Sequence, residues 1–320
     1  MTDISRRNAI FLTAALALGA CKHTGSSTMP SPSKPPAKPG RDDLVQKAIP
    51  STGEKLTIVG IGTRDFGTNY SPESRAALRE MLRVYPGLGG AVIDTAPSYR
   101  DSEQIIGELT SELALRPKLF LANKVNAGRA ADVAAEVRSQ FETGLQRLRT
   151  DKLDLLQIHN LAAVDQSLPP LRDWKQAGRI RYLGITTSSE NQYAQMAAIM
   201  RAQTLDFVQV DYAINSREAA DVVLPLAADR GMAVMINLPF GRLSAFTKTT
   251  GKPLPDFAAE LGCTSWPQLL LKYVVSHPAV TVAIPGTRKV EHITDNMAAA
   301  RGAMPDAAMR KRIESYYDAL

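Results

Sequence analysis

Ala91-Val-Ile-Asp-Thr-Ala-Pro-Ser-Tyr99 is a short apolar run that ends in a carboxylate and is followed by a phenol. Two later runs end in the same way. Leu119-Phe-Leu-Ala-Asn-Lys124 closes on an amine, and Leu153-Asp-Leu-Leu-Gln-Ile-His159 closes on an imidazole. The carboxyl ends of parallel strands meet at one edge of a sheet. Three strands that each stop at an ionisable group therefore predict one site at one end of one sheet.

From residue 55 onward, short β-rich runs alternate eight times with helical patterns, which is typical of a parallel sheet covered by helices. The predicted strands are 57–62, 91–94, 119–124, 153–159, 180–185, 207–210, 232–236 and 280–284. The predicted helices are 73–84, 102–113, 131–148, 171–177, 190–200, 217–229, 266–276 and 290–300. No Gly-x-Gly-x-x-Gly follows the first strand, and the ionisable groups end several different strands. The pattern predicts a single-domain α/β protein, a (β/α)8 TIM barrel over residues 53–320.

Two stretches outside this alternation complete the predicted domain. The connection 237–264 is much longer than its neighbours, and long insertions at the active end of a barrel often act as lids or binding loops. Its Gly-Lys-Pro-Leu-Pro core predicts a turn-rich flap. The final segment, 305–320, predicts a helix packed across the barrel exterior through Met309, Ile313 and Tyr317.

Composition and charge exclude several classes of protein. With 44% hydrophobic and 22% charged residues, the chain has enough apolar material for a large core. The net charge of +6 comes mostly from residues 1–52, and no basic stripe interleaved with aromatic residues indicates nucleic-acid binding. The two cysteines, Cys21 and Cys263, are far apart, and no Cys/His cluster predicts a metal site. No motif points to a protein partner.

The N-terminus has the parts of an export signal. An Arg6-Arg7 pair precedes a short apolar run that ends Leu18-Gly-Ala-Cys21. Residues 1–21 therefore predict a twin-arginine signal that ends at the cysteine of a lipoprotein-type cleavage box. A Pro/Ser-rich linker is predicted over residues 22–52. This places the protein in the bacterial cell envelope, on the periplasmic side, tethered to the membrane by a lipid on Cys21. The alternative is a cytoplasmic protein with a chance apolar patch.

The ionisable groups form a coherent set for carbonyl reduction. Tyr99 could donate a proton to a carbonyl oxygen, and an ammonium group beside a phenol favours that donation. Lys124 could supply the ammonium, and Asp94 could keep it charged in an apolar pocket. His159 could hold the substrate oxygen in line. Each residue alone also has a plain structural explanation, as a turn cap, a loop aromatic or a solvent-facing strand end.

These residues, together with Ser102-Glu, Ile106-Gly107, Gly178-Arg-Ile-Arg-Tyr-Leu-Gly-Ile185 and Ile284-Pro-Gly-Thr-Arg288, resemble the aldo-keto reductase superfamily over about residues 55–300. The resemblance implies that Tyr99 is the general acid, assisted by Lys124 and Asp94, and that His159 orients the carbonyl. It also implies a nicotinamide cofactor that lies across the barrel mouth and supplies hydride.

The same resemblance implies a set of cofactor-binding residues on the later strands. These are Thr186, Thr187, Gln209, Phe240, Gly241, Gly286, Thr287, Arg288, His292 and Asn296. The chain departs from the family where Thr186-Thr187 replace a common Ser-Asn. It departs again where Asn237 stands in place of a Tyr that stacks on the nicotinamide. Because Arg288, Lys289 and His292 could receive a 2′-phosphate at a helix start, NADP(H) is favoured over NAD(H).

The sequence therefore predicts an NAD(P)-dependent aldo-keto reductase that reduces small aldehydes or ketones. The alternative is a non-catalytic barrel of the same kind that senses nucleotides or binds a partner. The substrate pocket is expected to draw on Phe66, Tyr70, Tyr212, Phe240 and Phe246.

Overall fold

An antiparallel hairpin begins the part of the chain that the computed structural model describes, residues 44–320. Its strands are β1 (Gln46–Ala48) and β2 (Lys55–Thr57). Ile49, in the connection, is fully buried. The folded body thus begins before the predicted boundary at residue 53, and the end of the predicted linker belongs to it. The predicted signal 1–21, with Cys21, lies outside the described residues.

Eight parallel strands follow and confirm the predicted barrel. Their order in the sheet is their order in the chain. They are β3 (Ile61–Gly62), β4 (Val92–Asp94), β5 (Phe120–Val125), β6 (Leu153–His159), β7 (Ile180–Thr186), β8 (Phe207–Val210), β9 (Ala233–Ile236) and β10 (Val280–Ala283). The predicted first strand, 57–62, is divided in the structure, because Thr57 pairs in the hairpin and only Ile61 and Gly62 pair with β4.

The barrel closes along a seam between β3 and β10. The amide of Gly60 donates to Ala283 O at 2.8 Å, and the amide of Ala283 donates to Ile58 O at 2.9 Å. Gly62 also bridges to Gly286 in the parallel sense. A Cβ on Gly62 would lie 2.8 Å from the carbonyl oxygen of Ile284. A glycine is therefore required where the first and last strands approach.

Helices cover the outside of the barrel. They are α1 (Pro72–Val84), α2 (Ser102–Glu112), α3 (Val133–Leu148), α4 (Val164–Gln176), α5 (Tyr193–Ala202), α6 (Ala219–Asp229), α7 (Ala245–Thr249), α8 (Trp266–Val275), α9 (Val290–Ala298) and α10 (Ala307–Ala319). Side-chain oxygens of Ser71, Asp132, Ser265 and Asp306 cap α1, α3, α8 and α10. Among the helices of residues 44–320, none is both long and apolar enough to cross a membrane.

Helix α4 starts earlier than predicted. Pro169 and Pro170 lie inside it, and a sequence pattern normally ends or begins a helix at proline. The predicted start was residue 171. The helix tolerates the pair in its first half and buries Leu168, Leu171 and Trp174 against the barrel.

The long connection 237–264 packs mainly against α10. Tyr317 donates its hydroxyl proton to Ala245 O at 3.1 Å, and Lys248 Nζ donates to Asp318 O at 3.0 Å. The rings of Phe257 and Tyr316 meet edge to face at 5.7 Å. Most of the segment therefore lies on the barrel exterior, and the expectation of a flap holds at most for its first residues. Helix α10 forms as predicted.

Candidate functional site

The barrel interior is divided into an apolar lower part and a polar upper part. Side chains point inward at every second residue of each strand. Below, the rings of Phe120, Tyr182 and Phe207 pack together with centroids 5.5–5.9 Å apart, in one cluster with Ile49 and Leu56 of the hairpin. The inward positions nearer the carboxyl ends are polar and buried: Asp94, Lys124, Gln157, Thr186 and Gln209.

Asp94 and Lys124 form a buried ion pair at the centre of the polar layer. Their side chains are 3% and 0% exposed, and Lys124 Nζ lies 2.5 Å from Asp94 Oδ2. Lys124 also donates to Thr95 O at 2.9 Å. Burial opposes the lysine charge, but attraction to Asp94, and then to Tyr99, outweighs it and raises the pKa of Lys124 above its ordinary value. The amine is therefore a permanent cation below the barrel mouth.

Tyr99 and His159 lie at the mouth above this pair. Tyr99 is in the loop after β4, where its amide bonds to Ala96 O and its carbonyl accepts from the amide of Ser102. Lys124 Nζ is 5.1 Å from the centroid of the Tyr99 ring. The Tyr99 and His159 rings meet edge to face at 5.9 Å. Both are partly exposed, so a small molecule can reach them while Asp94 and Lys124 stay covered.

His159 is held in its neutral form. Burial, reinforced by the charge of Lys124, lowers the pKa of His159 to about 3. A neutral imidazole offers one N–H donor and one acceptor. The structure thus brings together all four residues predicted to be catalytic, with a buried cation, a phenol and a neutral imidazole on one side of the mouth.

Two glutamines connect the ion pair to the next strands. Gln209 Nε2 donates to Asp94 Oδ1 at 3.0 Å and lies 3.0 Å from Met235 Sδ. Its Oε1 accepts from Thr186 Oγ1 at 2.8 Å. Gln157 Nε2 lies 3.3 Å from the same Asp94 oxygen. Gln157 is not among the residues predicted from the sequence, although its place two residues after the inward Leu155 could have indicated it.

Asn237 is a second residue that the sequence analysis did not assign to the site. It directly follows β9, and its Nδ2 donates to Thr187 O at 3.0 Å and lies 3.5 Å from Thr186 Oγ1. Its Oδ1 is buried and has no partner among the described residues. Thr187 Oγ1 is engaged by Gln192 Oε1 at 2.5 Å. The predicted pair Thr186 and Thr187 therefore contacts Asn237 at the mouth.

Phe240 and Gly241 begin the long connection. Phe240 is 9% exposed and packs on Phe246, with centroids 4.9 Å apart. Gly241 has φ +54°, and Arg242 and Leu243 continue in the same left-handed conformation. A Cβ on Gly241 would meet the Asn215 side chain at 2.3 Å. The loop turns sharply, and Leu243 is 66% exposed.

The remaining predicted cofactor residues surround the start of α9. Gly286, Thr287 and Arg288 precede the helix, and its N-cap residue, Lys289, makes no side-chain capping bond. Among the first amides of the helix, that of Glu291 bonds to the carboxylate of the same residue. The other first-turn amides are not capped by Lys289, and amides at a helix start favour an anion.

The charges at this helix start are partly engaged. Arg288 donates from Nη1 to Thr68 O, and Arg100 donates to Thr68 Oγ1. Lys289 pairs with Glu291 at 3.7 Å. His292 is exposed, whereas Asn296 is buried within α9. Of this set, Arg288 is a cation and His292 an exposed imidazole that could donate to a phosphate, and the side chain of Asn296 is buried.

Two of the aromatic residues expected to line the substrate pocket lie in the core. Phe66 and Tyr212 are each 1% exposed. Tyr212 bonds through its hydroxyl to Tyr273 at 3.0 Å and to Arg310 at 2.6 Å, beneath α10. The expectation is wrong for both, because a sequence pattern does not distinguish an aromatic residue at the mouth from one in the barrel wall. Tyr70 is 37% exposed.

Within residues 44–320, no group of three or more His, Cys, Asp or Glu side chains could hold a metal ion. Cys263 is buried, and burial raises the pKa of its thiol to about 11.

Several curated proteins are similar in sequence. Methylglyoxal reductase YeaE of Escherichia coli (strain K12) is 29% identical over 284 residues, which cover 85% of this chain and 96% of that protein. Aldo-keto reductase YhdN of Bacillus subtilis (strain 168) is 29% identical over 202 residues. That second match covers 59% of this chain and 60% of YhdN.

Solved structures share the fold. A thermostable aldo-keto reductase, Tm1743, in complex with the inhibitor epalrestat, superposes with a TM-score of 0.71 at 26% identity, covering 85% of this chain and 99% of that one. An aldo-keto reductase from Klebsiella pneumoniae in complex with NADPH superposes with a TM-score of 0.70 at 24% identity, covering 86% and 96%.

The family model described as Aldo/keto reductase family matches residues 58–317, which is nearly the whole barrel. The match includes the four residues at the mouth, Asp94, Tyr99, Lys124 and His159, and both strands of the seam, β3 and β10. The chain belongs to the aldo/keto reductase family.

Proposed function

We propose that the chain is an NADP(H)-dependent reductase of small aldehydes or ketones, with Tyr99 as the general acid. The observation that carries the proposal is the cluster at the mouth. A partly exposed phenol stands above a buried lysine cation and beside a neutral imidazole. A barrel that only binds nucleotides has no need of this combination.

The residues of the barrel mouth fit a nicotinamide nucleotide. The buried Asn237 Oδ1 has no donor within residues 44–320, and a carboxamide could supply one. At the start of α9, uncapped amides with Arg288 and His292 suit a phosphate. NADP complexes among related structures support the same choice. Arg288 and Lys289 are the two cations at this helix start, and Lys289 also lies 3.7 Å from the exposed Glu291 carboxylate. Arg288 is therefore the main reason to favour NADP(H) over NAD(H).

The proposed mechanism assigns one task to each residue. The chemistry that a nicotinamide nucleotide would supply, when bound at the mouth, is a hydride for the carbonyl carbon. Neutral His159 donates an N–H hydrogen bond to the carbonyl oxygen and fixes its position. Tyr99 donates its phenolic proton to the same oxygen, and the adjacent Lys124 ammonium stabilises the phenolate that remains. Asp94 keeps Lys124 charged and in place. In the reverse direction Tyr99 would accept the proton.

The location of the protein remains part of the proposal. The arginine pair, the apolar run and Cys21 support export by the twin-arginine route and a lipid tether in the cell envelope. That route carries folded proteins, so the nucleotide could travel bound to the barrel. Labelled palmitate or a mass shift on Cys21 of protein purified from membranes would test the tether, and an unmodified intact N-terminus would contradict it.

The experiment for the activity compares wild type with Tyr99→Phe. NADPH oxidation is followed over a panel of aldehydes and ketones, and nucleotide affinity is measured on the same samples. Loss of the Tyr99 hydroxyl should reduce kcat by about 10²–10⁴-fold, because general acid catalysis contributes that much, while the Kd for NADPH stays within about twofold. Equal rates for both proteins would contradict the assignment. Binding of NADPH without turnover by wild type would favour a nucleotide-sensing barrel.

A further inference from the structure

We propose that Asn237 recognises the nicotinamide carboxamide, with its Oδ1 accepting a hydrogen bond from the carboxamide NH₂ group. This inference rests on the proposed function and adds a specificity-determining residue to it. Asn237 stands directly after β9, at the mouth, in contact with Thr186 and Thr187. Its Oδ1 is buried without a partner among residues 44–320.

The orientation of the Asn237 amide follows from its neighbour. Thr187 O is a backbone carbonyl and can only accept a hydrogen bond, so the group 3.0 Å from it must be the NH₂ side of the asparagine. The other side of the amide is then the oxygen. A buried acceptor left in this state is unfavourable until a donor arrives. The site therefore fits a ligand that donates a hydrogen bond to Asn237 Oδ1.

Gln209, which the family resemblance places among the cofactor-binding residues, carries a carboxamide side chain that is already fully engaged. One hydrogen of its NH₂ group faces Asp94 Oδ1, and the group also contacts Met235 Sδ. Its oxygen accepts from Thr186 Oγ1. At 1% exposure it offers no free polar atom to a ligand. Gln209 thus positions Asp94. The residue that recognises the carboxamide is Asn237, directly after β9, and not Gln209 in β8.

The chemistry of the ligand matches this acceptor. A carboxamide carries one carbonyl oxygen and two N–H donors, and only the donors can satisfy Asn237 Oδ1. The acetyl group of a 3-acetylpyridine nucleotide has the carbonyl but no N–H. The protein should therefore distinguish the two nucleotides through this one atom, and the distinction should disappear when the atom is removed.

The experiment is isothermal titration of NADP⁺ and of its 3-acetylpyridine analogue into wild type, Asn237→Leu and a control, Asn126→Leu. Asn126 is an exposed asparagine after β5 at the same end of the barrel. Wild type and the control should bind the acetylpyridine nucleotide about tenfold more weakly, as expected for one lost hydrogen bond. Asn237→Leu should bind both nucleotides with equal affinity. Because both ligands are measured on each variant, a misfolded fraction does not alter the ratio.

Two results would overturn the inference and leave the proposed function standing. They are equal binding of both nucleotides by wild type, and an unchanged tenfold ratio in Asn237→Leu. Failure of wild type to bind NADP⁺ and NAD⁺ at all would instead overturn the proposed function, and the inference with it.

Discussion

Replacing Asp94 with asparagine should destabilise the barrel by leaving a buried cation without its counter-charge. The Asp94 and Lys124 side chains are 3% and 0% exposed and lie 2.5 Å apart. Removing one partner of a buried pair costs about 3–5 kcal/mol, because the other charge cannot be solvated. The asparagine keeps the shape, and Lys124 keeps its bond to Thr95 O. We expect a loss toward the lower end of that range at pH 7.

The free energy of unfolding should depend on pH differently in wild type and in Asp94→Asn. In wild type the pKa of Lys124 is raised, so the stability from the pair is fully present below 10.5 and is lost as the pH rises through the raised value. In Asp94→Asn, the attraction of the Asp94 carboxylate is missing, so burial lowers the pKa of Lys124. The variant should therefore gain stability as the pH rises from 7 toward 10, and its difference from wild type should shrink.

The assay is urea denaturation of wild type, Asp94→Asn, Lys124→Met and the double variant at pH 7 and pH 10. The double variant has neither charge of this pair, so its loss of unfolding free energy should be smaller than the sum of the two single losses. The difference between the sum and the double variant measures the coupling of the pair. Two results would refute the reasoning. One is that the losses of unfolding free energy in the two single variants add up to the loss in the double variant. The other is that the difference in stability between Asp94→Asn and wild type grows from pH 7 to pH 10.

Two further predictions concern His159 and Arg288. The pKa of His159 is lowered to about 3, against 6.5 in the unfolded chain, so its contribution to stability is present above pH 6.5 and is lost on acidification toward pH 3. His159→Gln should flatten the pH dependence of unfolding between pH 4 and 6 by up to ~1.4 kcal/mol per pH unit, and an unchanged slope would contradict the neutral imidazole. Arg288→Ala should weaken NADP⁺ binding about tenfold or more and NAD⁺ binding less than about twofold, as measured by titration calorimetry. Equal losses of affinity for NADP⁺ and NAD⁺ would contradict the proposal that Arg288 binds the 2′-phosphate.

The barrel and the four residues at its mouth could be predicted because their signals are local. An apolar run that ends in Asp94, Lys124 or His159 is visible in a few consecutive residues, and eight alternations imply one closed sheet. The hairpin could not be predicted, since strands of three residues carry too little alternation. Two prolines inside α4 concealed its first half, because surrounding packing overrides a local preference.

Gln157 and Asn237 show where the sequence stops being informative. Both follow an inward apolar side chain by two residues, Leu155 and Met235, so an alternating pattern could have indicated that they face the barrel interior. The pattern does not reveal how their hydrogen bonds are distributed. Only the three-dimensional arrangement shows that Gln209 is fully engaged, whereas Gln157 Oε1 and Asn237 Oδ1 are buried without a partner among residues 44–320.

The seam at Gly60 and Gly62 has a consequence for the order of folding. It joins the first barrel strand to the last, so the two edges meet only when almost the whole chain is available. Until β10 is made, β3 and β9 present unpaired backbone groups that can pair with other chains. Contacts between such distant segments also form slowly. A chain shortened before Val280 should therefore aggregate rather than form a smaller barrel, and the barrel mouth should be completed last, after β10 has been synthesised.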